Sequence, residues 1–90
     1  MCIRDRGLVT RVVADDQLEP TVDAVAGELA AGATFAIGQI RKLAWSAVEN
    51  SLDTSLDLEV AAQRGAAATD DFTEGVKAFI EKRPPTFSGR

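Results

Sequence analysis

Residues 69–87 read TDDFTEGVKAFIEKRPPTF, and this stretch decides how the chain is built. Thr69-Asp70-Asp71 supplies helix-initiating oxygens, and Asp71 with Glu74 has the spacing of a capping box. Phe72, Val76, Phe79, Ile80 and Arg83 then recur at three and four residues, which puts them on one helical face. Pro84-Pro85 stops the helix, because proline cannot donate a backbone N–H and its ring crowds the preceding turn. The last five residues, TFSGR, are expected to be extended or irregular.

The same period runs backwards through the chain. Leu52, Leu56, Val60 and Gln63 form one line, with Asp53 and Asp57 toward the favourable N-terminal end, and Gly65-Ala66-Ala67-Ala68 permits close packing or an ending. Asn50-Ser51 separates that helix from one starting at Thr34, whose stripe is Ile37, Ile40, Ala44 and Val48. Gly32 closes the helix before it, which carries Leu18, Val22, Val25, Ala26 and Leu29. Asp16 is its expected cap, with Glu19 completing a capping box and Pro20 falling slightly late. Only Leu8–Val13, LVTRVV, reads differently: it is β-rich and ends at Ala14-Asp15-Asp16. The fold class expected is mainly helical with one short N-terminal strand. A lone strand leaves its backbone groups unpaired on both sides, so its sheet is expected upstream.

Composition narrows the chemistry. Ninety residues make one domain and bury a small share of their surface. Fourteen acidic against ten basic residues give a net charge of −4, with no basic tract, so neither nucleic acid nor an anionic membrane is an expected partner. The sequence has no histidine, and Cys2 is its one cysteine. The commonest general base, an intrachain disulfide and a thiol metal site are therefore lacking. No apolar run has the length of a signal peptide or a membrane span, which makes a soluble, cytoplasmic protein the expectation. Ser46, Ser51, Ser55 and Ser88 have no histidine to activate them. The Asp15-Asp16 and Asp70-Asp71 pairs are read as helix caps rather than as metal or catalytic groups. Trp45 is read as a packing or interface residue.

One pair stands apart. Phe79 and Lys82 lie three residues apart, and Lys82 and Arg83 occupy the last turn, where the helix dipole favours cations. An apolar ring beside a positive charge suits an adenine ring or a phosphate; an ordinary basic helix end has the same sequence.

Gly7-Leu8-Val9 with Val12-Val13, LAAGAT before a helix, NSLDTSLDLE and above all TDDFTEGVKAFIEKRPPTF resemble the C-terminal portion of the enoyl-CoA hydratase/isomerase, or crotonase, family. The resemblance spans residues 7–90, about the last third of a usual member. It implies an α/β parent with a ββα spiral core upstream, followed by a helical region used for trimerisation and for closing the acyl-CoA site. Leu8–Val13 would be the last short strand of that core. Phe79 and Lys82 match the aromatic and lysine that approach the adenine end of coenzyme A, sometimes in a neighbouring subunit's site. No cofactor is implied beyond coenzyme A as part of the thioester substrate, and the implied assembly is a trimer or a dimer of trimers. Ala33-Thr34 departs from the small-residue/proline step of relatives.

The family's oxyanion hole stabilises a developing enolate, and its carboxylates move protons. Those groups belong upstream of Gly7, so no catalytic residue carries over and the chain alone is expected to be inactive. Residues 1–6, MCIRDR, do not continue the family pattern and read as a non-family leader, of the kind that adapter read-through leaves at the edge of an assembled fragment. A genuine start on an unusually short relative is the competing reading. The leading functional expectation is a fragment of a hydratase acting on trans-2-enoyl-CoA in fatty-acid or aromatic-acid degradation. NSLDxxLDLE and DFTEGVxAFxEKR also resemble the ring-opening isomerases of the phenylacetate pathway. A noncatalytic helical binding module is the alternative from another class.

Overall fold

The computed structural model describes residues 3–90. A single 3-10 turn, Arg4–Arg6, is closed by Gly7 in the left-handed region at φ 80°, and a second, Asp15–Gln17, leads into the first helix. Four α-helices follow among the described residues: α1 Leu18–Ala30, α2 Thr34–Ser46, α3 Leu52–Ala67 and α4 Asp70–Glu81. Residues 1 and 2 lie outside the described residues, and the reading of Cys2 lies there with them.

The expected N-terminal strand is not formed: the described residues contain no β-strand. Leu8–Val13 is irregular, with every residue exposed to solvent. Alternating β-branched side chains suit a pleat, but a strand exists only where a neighbour takes up its N–H and C=O groups. Here the segment lies beside α1 instead. Thr10, Arg11 and Val13 face Leu18, Val22 and Leu29 across an open groove of about 340 Å³.

Local chemistry explains most helix boundaries. Ser51 caps α3, its hydroxyl accepting the Thr54 N–H at 3.2 Å. Thr69 caps α4, accepting the Phe72 N–H at 3.1 Å while donating to the Ala66 carbonyl at 2.6 Å, so one hydroxyl closes α3 and opens α4. The expected Asp16 cap is absent, because Asp16 is taken into the 3-10 turn and α1 starts behind Gln17 with no side-chain cap. Pro20 then stands third in α1, inside the first turn, where no intrahelical donor is lost. Val48, placed on the α2 stripe by its spacing, falls in the turn beyond Ser46.

α2 packs on α3 and α3 on α4, whereas α1 is held chiefly by its own entry turn. The result is a slab of 42 × 38 × 19 Å. Its radius of gyration is 16.6 Å, against roughly 12 Å for a compact domain of this length. The accessible surface is 7546 Å², where a compact chain of this mass would show about 5,000 Å². Among the described residues Ala78 is the one fully buried apolar side chain, at 1% exposure. Trp45 is 74% exposed, so it packs into no core within this chain. No helix is long and apolar enough to cross a membrane among the described residues.

Candidate functional site

α4 and the residues that follow it form the most densely bonded part of the molecule. Its apolar stripe, Phe72, Val76, Phe79 and Ile80, faces outward, and Phe72, Val76 and Ile80 line an open groove of about 350 Å³ together with Lys77 and Glu81. The packed face is the other one, carrying Asp71, Glu74, Gly75 and Ala78.

Asp71 and Glu74 do not form the capping box that their spacing suggests, since Thr69 already caps the helix and Asp71 stands second within it. Both carboxylates hold the tail instead. Asp71, 3% exposed, accepts the Ser88 N–H at 2.6 Å and the Ser88 hydroxyl at 3.3 Å on one oxygen, and the Gly89 N–H at 2.8 Å on the other. Its own N–H donates to the Arg90 carbonyl at 2.8 Å. Residues 84–90 are irregular, as their composition predicts, yet they run back along α4 and are pinned at its first turn. Only glycine fits position 89. Its φ is +81°, and a Cβ there would meet the Thr34 hydroxyl at 2.8 Å.

Glu74 lies one turn further along. Its carboxylate accepts from Arg83 Nη1 at 2.7 Å and Nη2 at 3.0 Å, and Oε1 also accepts the Thr86 N–H at 2.9 Å. The Arg83 guanidinium, and next the Thr86 amide, favour the ionised form and hold the carboxyl at about 2, well below its ordinary value of 4.5. Arg83 is correspondingly pushed up, first by Glu74 and then by Glu81, whose Oε2 accepts from Nε at 2.6 Å.

Beyond these two anchors, at the C-terminal end of α4, stand the residues singled out from the sequence. Phe79 is 85% exposed although it belongs to the apolar stripe. Lys82 is exposed and ends the helix in the left-handed region, at φ 54° and ψ 42°. The Lys82 N–H donates to the Phe79 carbonyl at 3.3 Å and the Arg83 N–H to the Ala78 carbonyl at 3.0 Å. This is the Schellman pair of bonds, with lysine where glycine is usual. Lys82 and Phe79 are thus neighbours on one turn. Arg83, grouped with Lys82 as a terminal cation by sequence, is committed to two carboxylates. Among the described residues none pairs with Lys82, and no group of three metal-ligating side chains lies together.

The sequence reading missed the Glu74–Arg83 bridge and the Asp71 anchor. Its one available signal was the position of Asp71 and Glu74 on a single face just before a double proline, a pattern that a capping box accounts for equally well.

Comparison with known proteins places this geometry. A 1,2-epoxyphenylacetyl-CoA isomerase of Escherichia coli is 44% identical over 84 residues, covering 93% of this chain and 32% of that protein. A "probable enoyl-CoA hydratase" of Rhodobacter capsulatus is 39% identical over 84 residues, again 93% of this chain and 33% of the relative. In three dimensions, the crystal structure of an enoyl-CoA hydratase of Bacillus anthracis superposes with a TM-score of 0.86 at 31% identity, covering 97% of this chain and 34% of that one. The chain therefore spans about a third of the length of the curated relatives it matches. The profile of the Enoyl-CoA hydratase/isomerase family matches residues 3–90, nearly the whole sequence, and the chain belongs to that family.

Proposed function

We propose that this chain is the C-terminal part of an isomerase acting on a ring-bearing acyl-CoA epoxide, with the chemistry of 1,2-epoxyphenylacetyl-CoA isomerisation. The observation that carries this reading is the 44% identity to the E. coli isomerase. It moves the isomerase ahead of the hydratase that the sequence alone put first. A trans-2-enoyl-CoA hydratase is the second reading, favoured by the 39% identity to the Rhodobacter relative.

In either reaction the catalytic carboxylates and the oxyanion hole are contributed from outside this chain, and residues 7–90 bind and enclose. Phe79 and Lys82 are assigned to the adenine and phosphate end of coenzyme A. The exposed ring offers a stacking face, and the unpaired ammonium meets a phosphate. Two features support the assignment: an aromatic residue left in solvent, and a lysine kept in a backbone conformation that costs an L-residue about 1–2 kcal/mol. Assembly into a trimer or dimer of trimers in the cytoplasm completes the reading. An accessible surface about 2,500 Å² larger than a compact chain would show supports burial against further protein, the upstream core together with neighbouring subunits.

The test is to read the source locus upstream of the Gly7 codon and to express the full frame found there. Turnover of the epoxide thioester without hydration of a trans-2-enoyl-CoA is the expected result. Hydration alone would put the hydratase back in first place. A stop codon directly before Met1, with an active-site-free product that stays soluble and monodisperse, would return the helical binding module.

A further inference from the structure

We infer that Glu74 and Arg83 are positioning residues for Lys82: their bidentate pair spans the end of α4 and fixes the left-handed turn from which the lysine meets coenzyme A. The inference rests on the reading of Lys82 given above and adds a role for two residues that bond to each other within the fold.

Lys82 has no internal reason to stay in its turn. A residue with a Cβ is disfavoured at φ 54°, and such a conformation persists only where its surroundings over-determine it. Those surroundings are visible on both sides. Before the turn stands Ala78, buried, whose carbonyl takes the Arg83 N–H at 3.0 Å. After it stands the Arg83 side chain, which reaches back nine residues to Glu74 with two nearly parallel bonds of 2.7 and 3.0 Å. Two of its other three donors go to Glu81 at 2.6 Å and to the Pro84 carbonyl at 3.2 Å. A planar fork matched to a carboxylate fixes orientation as well as distance, and an ammonium on the same stem does not. The Thr86 N–H on Glu74 Oε1 locks the far side. Two adjacent cations thus divide the work: Arg83 has four of its five donors occupied within the fold, and Lys82 keeps its own for a ligand.

The experiment is a double-mutant cycle of Glu74→Gln and Lys82→Ala in the complete enzyme from the source locus. It reads coenzyme A affinity by calorimetry, and KM and kcat on the thioester. Lys82→Ala is expected to weaken coenzyme A binding and raise KM by about fivefold, the scale of one solvent-accessible charge contact. Glu74→Gln is expected to raise the coenzyme A Kd and the KM by roughly threefold, with kcat within about twofold, and to add almost nothing once Lys82 is alanine. An undiminished Glu74→Gln effect in the Lys82→Ala background, or no effect alone, overturns the positioning role while leaving Lys82 a ligand. A silent Lys82→Ala overturns the contact itself, and the inference with it.

A second measurement does not need an active enzyme. In the complete protein from the source locus, tryptic cleavage after Lys82 is compared with cleavage after Lys42 by mass spectrometry. If the pair holds the turn, Glu74→Gln raises that ratio at least about threefold, because proteolysis follows the population of the opened form. An unchanged ratio shows that the pair holds nothing at Lys82.

Discussion

Replacing Asp71 by Asn should release the C-terminal tail from α4 while leaving the helix in place. The carboxylate accepts the Ser88 N–H at 2.6 Å on Oδ1 and the Gly89 N–H at 2.8 Å on Oδ2. An amide of the same shape keeps one acceptor and turns an N–H₂ toward the other donor. What is lost is one bond to a charged group, about 1.5–3 kcal/mol, with a further cost for a donor left facing a donor at a site 3% exposed. A total of about 2–4 kcal/mol corresponds to roughly 30- to 700-fold in the closed-to-open ratio of the tail at 1.4 kcal/mol per decade. Amide hydrogen exchange resolved at Ser88 and Gly89 reads that ratio directly. The expected loss of protection is of that size, or down to open-chain exchange if the latch is weaker than the cost. The α4 amides beyond the first turn should keep theirs. Asp70→Asn, one position earlier and exposed, serves as the control and should leave the tail closed. Unaltered exchange at both amides would refute the latch, and parallel loss along α4 would show that Asp71 supports the helix rather than the tail.

Gly75→Ala should stabilise α4 by about 0.5–1 kcal/mol, since a helix-interior glycine carries excess backbone entropy and the added Cβ would sit in ordinary contact, 3.6 Å from the Phe87 ring; reduced helicity by circular dichroism would contradict the packing. Glu74 should titrate at about 2 rather than 4.5 in a carbon-detected NMR titration, because Arg83 and then Thr86 favour its charge. With the folded value depressed, the bridge contributes in full above the ordinary value of 4.5 and is lost progressively as the pH falls from there through about 2. Arg83→Ala should return Glu74 toward its ordinary value, and ordinary titration with Arg83 present would remove the bridge. The 90-residue chain by itself should melt broadly and show a concentration-dependent mass in light scattering, given its single buried apolar side chain among the described residues; a cooperative transition with a sharp monomeric mass would refute this.

The helices were legible because local chemistry sets them. Ser51 and Thr69 cap where their hydroxyls reach an N–H three residues on, and Pro84-Pro85 ends α4 from the covalent structure alone. The strand was not, because Leu8–Val13 has strand composition without a partner, and pairing is a property of two segments. Asp71 and Glu74 show a subtler limit. Their i, i+3 spacing is the signature of a capping box, yet Thr69 two residues earlier captures the cap and frees both carboxylates for the tail. Two local patterns competed for the same helix start, and bonds to residues 83–90, twelve to eighteen positions away for Thr86, Ser88 and Gly89, accompany the outcome.

The orientation of α4 joins these observations. Sequence periodicity puts Phe72, Val76, Phe79 and Ile80 on one apolar stripe of a helix, and the structure turns all four outward. A helix does not expose its apolar side by preference, since each such residue forgoes about 1.5–3 kcal/mol of burial. The inner face therefore has to be held by something other than apolar area, and it is: Asp71 and Glu74 fasten the tail there, Arg83 closes the end, and Gly75 and Ala78 let Phe87 and the Schellman turn come close. The polar bonds fix the helix so that its apolar stripe is presented rather than consumed. An exposed stripe rimmed by charge marks a surface made for contact. The family's relatives are about three times this length, and under the function proposed above that surface is where the remaining protein and a coenzyme A end would meet the chain. Phe79 belongs to that stripe, and Lys82 closes the helix beside it, one residue before the Arg83 that Glu74 holds.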